Sequence, residues 1–238
     1  MSLPFFYVDS GLIEGTQIEP SEETARHIVQ VLRMREGEKI VITNGRGLSA
    51  GCTITSASKR NCTLAVGVVT TTPPFAHQVT IAISLLKNAS RFEWFLEKAA
   101  ETGINRIVPL LCSRTEKQHF RKDRAESILV SALQQSQQSW LTEIQEPVDF
   151  RKFFGLLPEG KKYIAHCMDQ EKVSLAGAVR PDDKHSIILI GPEGDFTAEE
   201  VSLALEQGYK PVALGETRLR TETAGLVAAV LLRQTVTK

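Results

Sequence analysis

The chain has 238 residues, with 28 Lys and Arg against 28 Asp and Glu, so its formal net charge at pH 7 is zero. Hydrophobic residues make up 42% and charged residues 24%, which excludes a disordered tail and a uniformly basic nucleic-acid binder. The longest late apolar run, residues 226–232, is far shorter than the roughly 20 residues that cross a bilayer, and the start of the chain has no signal-peptide pattern. We therefore expect a cytoplasmic protein without membrane association.

The cysteine and histidine positions favour neither disulfides nor a metal centre. The cysteines stand at 52, 62, 112 and 167 and form no C-x-x-C pair, so we expect reduced and mostly buried thiols. The histidines show no H-x-x-x-H or other ligand spacing, so we expect no metal site.

The first 72 residues are expected to form a small β domain. Apolar and polar residues alternate over 48–54 and over 62–68, and residues 39–43 make a third short strand. The turn residues 44–47 separate the third strand from the next, and one helix is predicted over 22–34. Short strands joined by glycine turns predict a barrel or a sandwich.

After a linker at 70–74, the pattern changes to alternating strands and helices. The predicted strands are 79–86, 106–111, 163–167, 186–190 and 212–214. The predicted helices are one with a capping box at 90–93 that ends at Gly103, one over 123–138, one with a capping box at 197–200 that ends at Gly208, and one over 223–233. This alternation predicts an α/β domain with a parallel sheet and helices on both sides, over residues 73–238.

Three polar loops follow predicted strands of this domain, where ligands of open α/β sheets bind. The glycines of residues 191–194 would let a ligand approach the backbone closely. Residues 215–223 carry arginines and threonines before an apolar helix, and residues 87–91 place two cations at a helix start, which suits a phosphate. Each loop alone could be an ordinary turn or a solvated cap, but together they predict a joint ligand or catalytic site.

Residues 47–51 match G-x-S-x-G, the nucleophile elbow of many hydrolases. That elbow needs a strand before the serine and a helix after it, whereas Ser49 lies inside a predicted strand. A hydrolase is therefore not expected; it would show an esterase activity that Ser49→Ala abolishes.

The whole set of motifs resembles the ribosomal RNA small subunit methyltransferase E family, which belongs to the SPOUT class of S-adenosylmethionine (SAM) enzymes. The motifs that carry the resemblance are residues 191–194 with 214–215 and 219–224, then Lys87, Arg91, Lys98, 101–103, 113–114 and 135–136, and in the first domain His27, 31–33 and Gly37. The resemblance implies a PUA-like RNA-binding β-barrel domain over 1–72 and a SPOUT domain over 73–238 that ends in a trefoil knot. It also implies a homodimer that methylates uracil N3 at position 1498 of 16S ribosomal RNA in the small ribosomal subunit.

The resemblance further assigns the site residues. SAM would be held by Leu189, Ile190, Gly191, Pro192, Glu193, Gly194, Leu214, Gly215, Leu219, Arg220, Thr221 and Thr223. Valine at Gly191 or Gly194 is expected to fill the space that the cofactor needs. Because uracil N3 must lose its proton, a general base or a cation would lower the barrier, and the candidates are Arg220, Glu222 and then Glu193. The candidates for RNA phosphates are Arg33, Arg35, Lys87, Arg91 and Arg114.

Two regions depart from the family pattern. Asp195 stands where the family usually has Gly, so it adds a negative charge and is expected to need a positive backbone angle. Gln134 replaces the usual acidic residue before Gln-Ser, and the usual Arg is replaced around residues 137–138. Two alternatives stay open: a SPOUT methyltransferase that acts on another RNA base, and a non-catalytic RNA-binding assembly factor.

Overall fold

The computed structural model describes residues 3–58, 61–116, 119–156 and 159–234. The chain divides into two compact units, one made of Met1–Pro74 and Leu133–Leu141 and the other of Phe75–Ala132 and Thr142–Lys238. The sequence predicts a boundary between residues 72 and 73 and gives no sign of the second segment of the first unit. Within the described ranges, every helix is too short or too polar to cross a membrane.

The first unit is built on a five-stranded sheet. Its strands are β1 (Phe5–Tyr7), β2 (Gln17–Ile18), β3 (Lys39–Thr43), β4 (Leu48–Ala57) and β5 (Cys62–Thr71), in the order β1-β3-β4-β5-β2. Only the β1–β3 pair is parallel among the pairings of this sheet. The predicted alternation buries one face, with Ile40, Ile42, Ile54 and Leu64 at 0–1% exposure. Ser49 pairs with Thr70 in mid-strand, so the strand-to-helix context of a nucleophile elbow is missing there.

The predicted helix over 22–34 is only partly correct. The α-helix α1 covers Glu22–Arg26, and a π-helical turn follows over His27–Val31. The wider turn is visible in the amide of Leu32, which donates to the carbonyl of His27 at 3.0 Å. The chain then turns sharply at Arg33, whose φ of 56° ends the helix before residue 34.

The second segment of the first unit packs on the turn between β3 and β4. The amide of Gly47 donates to the carbonyl of Ser139 at 2.7 Å, and the indole of Trp140 donates to the carbonyl of Thr72 at 2.9 Å. A Cβ atom at Gly47 would lie 2.5 Å from the Trp140 ring, so this position requires glycine. The segment 133–141 therefore completes the packing of the β unit.

The second unit is built on an eight-stranded sheet. Its strands are β6 (Gln78–Ser84), β7 (Arg106–Leu111), β8 (Glu143–Ile144), β9 (Val148–Asp149), β10 (Lys161–Ala165), β11 (Val173–Ser174), β12 (His185–Ile190) and β13 (Lys210–Ala213). The order is β11-β13-β10-β12-β6-β7-β8, with β9 also paired to β7, and these pairings are all parallel. The predicted parallel sheet is confirmed.

Within the described residues, six helices accompany this sheet. They are α2 (Ala89–Glu101), α3 (Lys122–Ser136), α4 (Phe150–Phe153), α5 (Leu175–Ala178), α6 (Ala198–Glu206) and α7 (Thr221–Gln234). The capping box at Thr197 and Glu200 is confirmed. The capping box at Ser90 is wrong, because α2 starts earlier: the side chain of Asn88 caps it by accepting from the amide of Ser90 at 2.9 Å.

Helix α7 lies close to helix α2 and strand β6. A Cβ atom at Gly225 would stand 2.7 Å from the Phe95 ring and 2.8 Å from Ile83, so the glycine allows this close approach. Phe95 lies on the apolar face of α2, and that face is buried. The packing fixes where α7 begins and therefore where the loop before it must run.

Candidate functional site

The carboxyl ends of β10, β12 and β13 surround a cavity of about 800 Å³ in the second unit. Its walls come from the loops that follow these three strands, together with the first turns of α2 and α7. The residues that line it are Arg91, Ala165, His166, Cys167, Lys172, Ile190, Gly191, Pro192, Glu193, Asp195, Val212, Ala213, Leu214, Gly215, Glu216, Thr217, Arg218, Leu219, Arg220, Thr221, Glu222 and Ala224.

Most of the residues expected to hold a cofactor lie in this lining. They are Ile190, Gly191, Pro192, Glu193, Leu214, Gly215, Leu219, Arg220 and Thr221, and Glu222 stands beside them. Three others lie outside it. Leu189 belongs to the core at 0% exposure, Gly194 faces Arg114, and Thr223 sits in the first turn of α7.

The loop of residues 191–197, here called the fastened loop, is hydrogen-bonded to its neighbours on the sheet edge. The carboxylate of Glu193 accepts from the amide of Lys87 at 3.1 Å, which joins the loop to the end of β6. The guanidinium of Arg114 donates to the carbonyl of Gly194 at 2.6 Å, which joins it to the loop after β7. The carboxylate of Glu200 completes the attachment, since one oxygen accepts from the amide of Ser113 at 2.7 Å and the other caps α6 at Thr197.

Two glycines of the fastened loop lie close to protein side chains. A Cβ atom at Gly191 would meet the ring of Phe196 at 3.1 Å, and one at Gly194 would meet the side chain of Arg114 at 3.3 Å. Phe196 is fully buried and packs on the Phe150 ring at 5.3 Å between centroids. A Cβ atom at Gly191 would therefore contact the core, although Gly191 also lines the cavity. The loss of cofactor space in a valine variant stays a prediction.

Asp195 joins the fastened loop to the loop after β10. Its φ is 64°, so the predicted positive backbone angle is confirmed. One carboxylate oxygen accepts from the amide of Cys167 and the other from the amide of Phe196, both at 2.8 Å. Asp195, which departs from the family pattern, therefore hydrogen-bonds both to its own loop and to the loop after β10.

The loop of residues 214–220, here called the open loop, forms the opposite wall. Gly215, Glu216, Thr217 and Arg218 are all exposed. Gly215 has a φ of 157°, and a Cβ atom there would have nothing within 4 Å. The open loop therefore leaves free space beside the cavity, whereas the fastened loop is tightly packed.

A buried carboxylate faces an arginine at the cavity. The side chain of Glu222 is 8% exposed, and its carboxylate lies 3.7 Å from the Nε of Arg91. The Arg91 side chain, which the sequence analysis assigns to RNA phosphates, is thus paired with an acid of the cavity wall. A buried carboxylate is costly unless a cation compensates it, so Arg91 offsets part of the cost of burying Glu222.

The loop after β10 supplies cavity residues that the sequence analysis missed. His166 is buried, its Nδ1 accepts from the amide of Met168 at 3.2 Å, and burial together with Lys172 lowers its pKa. Lys172 donates from Nζ to the carbonyl of Met168. The signal was available, because this loop follows a predicted strand just as the other polar loops do.

The other phosphate candidates fall into two groups. In the second unit, the Nζ of Lys87 pairs with Glu116 at 2.7 Å, and Arg114 is used by the fastened loop. In the first unit, Arg33 and Arg35 are exposed beside a concavity of about 530 Å³. Arg33 follows the π-helical turn and has a strained backbone, a combination that often marks functional positions.

The remaining titratable groups do not form a second centre among the described residues. No group of three or more His, Cys, Asp or Glu residues there could hold a metal ion. All four cysteines are free, and three of them are buried, as predicted. Burial raises the pKa of Cys112 to about 12, which keeps that thiol protonated and unreactive.

Comparison with known families matches both parts of the chain. Residues 73–233 match the family described as an RNA methyltransferase domain. Residues 20–66 match the family described as an RNA methyltransferase PUA domain.

Several individual proteins are similar over nearly the whole chain. Ribosomal RNA small subunit methyltransferase E of Bacillus subtilis is 29% identical over 222 residues, covering 87% of this chain and 85% of that protein. A crystal structure of a probable rRNA methyltransferase from Porphyromonas gingivalis has a TM-score of 0.87 and 32% identity over 98% of this chain and 99% of that one. The Neisseria gonorrhoeae ribosomal RNA small subunit methyltransferase E, solved with S-adenosyl methionine bound, has a TM-score of 0.88 and 26% identity over 98% of this chain and 97% of that one.

Proposed function

Since the chain belongs to the ribosomal RNA small subunit methyltransferase E family, we propose that it methylates N3 of uracil at position 1498 of 16S ribosomal RNA. It is a SAM-dependent ribosomal RNA methyltransferase. One observation carries the assignment to this site: the 800 Å³ cavity at the carboxyl ends of β10, β12 and β13, which contains both glycine loops and a buried carboxylate.

The cavity residues fit SAM. The free space at Gly215 allows a ligand to approach the backbone closely, and Ile190, Leu214 and Leu219 offer apolar contact. Its volume lies in the range of about 300–1,000 Å³ typical of small-molecule sites. SAM supplies a methyl group activated by its sulfonium charge. We assign the fastened loop and the open loop as the two walls that hold it.

The chain must then remove the proton from uracil N3. Glu222 is our candidate acceptor, because its carboxylate is buried at the cavity and lies 3.7 Å from the Nε of Arg91. Arg220 lines the same cavity, is exposed and can stabilise the negative charge that develops on the imide. Glu193 fits a catalytic role less well, since its carboxylate fastens the loop to Lys87.

RNA recognition is assigned mainly to the β unit. Arg33 and Arg35 are exposed there beside a concavity, and cations of this kind contribute most of the affinity for phosphates.

Because the proposed substrate is the small ribosomal subunit, we expect the protein to act in the cytoplasm. Two further features of the family, the homodimer and the trefoil knot at the end of the SPOUT domain, stay predictions.

The proposal is tested by methyl transfer to authentic substrate. Purified protein is incubated with labelled SAM and small ribosomal subunits from a strain that lacks this enzyme, and the RNA is digested to nucleosides. We expect N3-methyluridine, mapped to position 1498 of the 16S RNA. Subunits that already carry the modification serve as the control and should accept no label.

The other outcomes identify the alternatives. Label in a different nucleoside would assign the enzyme to another RNA base. SAM binding without transfer to any RNA would favour a non-catalytic assembly factor, and it would contradict the reaction assigned to Glu222.

A further inference from the structure

We propose that Asp195 is a positioning residue that clamps the fastened loop to the loop after β10, two of the loops that line the cofactor cavity. The proposal rests on the proposed function for the identity of the ligand, but the clamp itself is a feature of the protein alone. Asp195 lines the cavity, and its carboxylate contacts two loops that follow neighbouring strands of the sheet.

The two hydrogen bonds of Asp195 go in different directions. The bond to the amide of Cys167 reaches the loop after β10, 28 residues earlier in the chain. The bond to the amide of Phe196 turns back into the fastened loop and fixes the orientation of the carboxylate. Both bonds have an ionised acceptor, and such bonds are shorter and stronger than neutral ones.

Without this carboxylate, the amide of Cys167 would lose the partner that the structure gives it. The strand pairing of β10 with β12 ends at Ala165 and Ile190, so it does not extend to residue 167. The clamp therefore acts just beyond the point where the sheet stops holding these two loops together. On the other side of the fastened loop, Glu193 and Arg114 make the equivalent attachments to β6 and β7.

The backbone of Asp195 is compatible with this role. A φ of 64° is uncommon for residues other than glycine, but Asp and Asn adopt it several times more often than other side chains. The amide of Asp195 also donates to the carbonyl of Pro192 at 2.9 Å, which holds the turn. The strained conformation is thus supported on both sides and aims the carboxylate at Cys167.

The clamp predicts a specific set of variant effects. Asp195→Ala removes both acceptors, so amide hydrogen exchange at Cys167 should accelerate at least tenfold, which corresponds to about 1.4 kcal/mol. SAM affinity measured by calorimetry should fall about tenfold, and the KM for SAM should rise while kcat at saturating SAM stays within about twofold.

Two further variants separate the clamp from backbone strain. Asp195→Gly relieves the strain and removes the acceptors, so it should weaken SAM binding as Asp195→Ala does. Asp195→Asn keeps one acceptor oxygen and a side chain that tolerates this φ, so it should recover a measurable part of the affinity. Asp182→Asn, at an exposed position outside the cavity lining, is the matched control and should change nothing.

The exchange measurement is made without cofactor, so its result is independent of the proposed function. Equal exchange at Cys167 in the wild type and Asp195→Ala would overturn the clamp, as would equal SAM affinity. Equal loss in Asp195→Asn and Asp195→Ala would overturn the hydrogen-bond explanation. A wild-type protein that shows the protected Cys167 amide but binds no SAM would instead overturn the proposed function.

Discussion

The two loops that form the walls of the cavity are built in opposite ways. The fastened loop contacts three neighbouring strand ends through Glu193, Arg114 and Asp195, and its Phe196 ring is fully buried. In the open loop, residues 215–218 are exposed, and the carbonyl of Arg220 accepts a hydrogen bond from the amide of Ala224 in the following helix.

The difference in packing between the fastened loop and the open loop gives the two walls of the site different roles. A wall with many buried contacts keeps its geometry before a ligand arrives, whereas an exposed wall with few contacts can adjust when a ligand binds. The charged groups Arg218, Arg220 and Glu222 belong to the open loop or follow it directly. We therefore expect changes beside the open loop to affect binding and chemistry, and changes at the packed positions Gly191 and Phe196 of the fastened loop to affect mainly stability.

The largest effect is expected for Glu222→Gln, which keeps the size of the side chain but removes its ability to accept a proton. The rate of methyl transfer in a single turnover should fall about 10²- to 10⁴-fold. SAM affinity should change less than about threefold, because the variant preserves the packing of the cavity wall. A variant with more than a tenth of the wild-type rate would exclude Glu222 as the proton acceptor.

The next largest effect is expected for Phe196→Ala in the fastened loop. Removal of a fully buried ring that packs on Phe150 should lower the free energy of unfolding by about 3–5 kcal/mol. Leu219→Ala is the matched change in the open loop, where the side chain is half-buried, and it should cost less than half as much. Denaturant titration of both variants measures the difference; similar losses would remove the contrast between the loops.

A pair of glycine substitutions gives a smaller and more selective effect. Gly215→Ala places a methyl group where nothing lies within 4 Å, so SAM affinity should fall about tenfold; because L residues rarely adopt a φ of 157°, the variant should also lose some stability. Gly191→Ala brings a Cβ atom within 3.1 Å of the Phe196 ring, so its main effect should be a lower melting temperature. Calorimetry and thermal unfolding on both variants test this; the reversed pattern would show that Gly191 faces the cofactor after all.

The smallest effect concerns pH. Burial lowers the pKa of His77, His166 and His185, so the unfolded chain binds more protons than the folded one below about pH 6.5. The unfolding free energy should be constant above that pH and decline as the pH falls below it. His77→Gln should reduce this slope. Denaturant titrations between pH 5 and 8 measure the slope in the wild type and in the variant, and equal slopes would contradict the expectation.

The position of the site could be predicted from the sequence because it depends on a simple rule. The carboxyl ends of parallel strands meet at one edge, so the loops around Gly191 and Gly215 had to lie near each other once the parallel sheet was correct. The same rule also applies to the loop at His166, because that loop directly follows strand β10 of the same sheet.

The contacts that individual residues make could not be predicted in the same way. Gly191 lies tightly against the ring of Phe196, five residues away along a turn whose geometry the sequence does not show. Arg91 has the composition of a phosphate ligand, but its partner Glu222 lies 131 positions later and meets it only because α7 packs on α2. The π-helical turn after Arg26 has the same apolar spacing as an α-helix over so short a stretch, so periodicity does not distinguish them.

The segment 133–141 has a consequence for how the protein is made. The β unit occupies the beginning of the chain, yet Ser139, Trp140 and Leu141 hydrogen-bond to residues 45, 47 and 72 of that unit. At about 5–20 residues per second, translation from Pro74 to Leu141 takes on the order of ten seconds. During that interval the nascent β unit lacks its last segment. The first unit of this ribosomal RNA methyltransferase therefore stays incomplete on the ribosome until more than half of the chain has been synthesised.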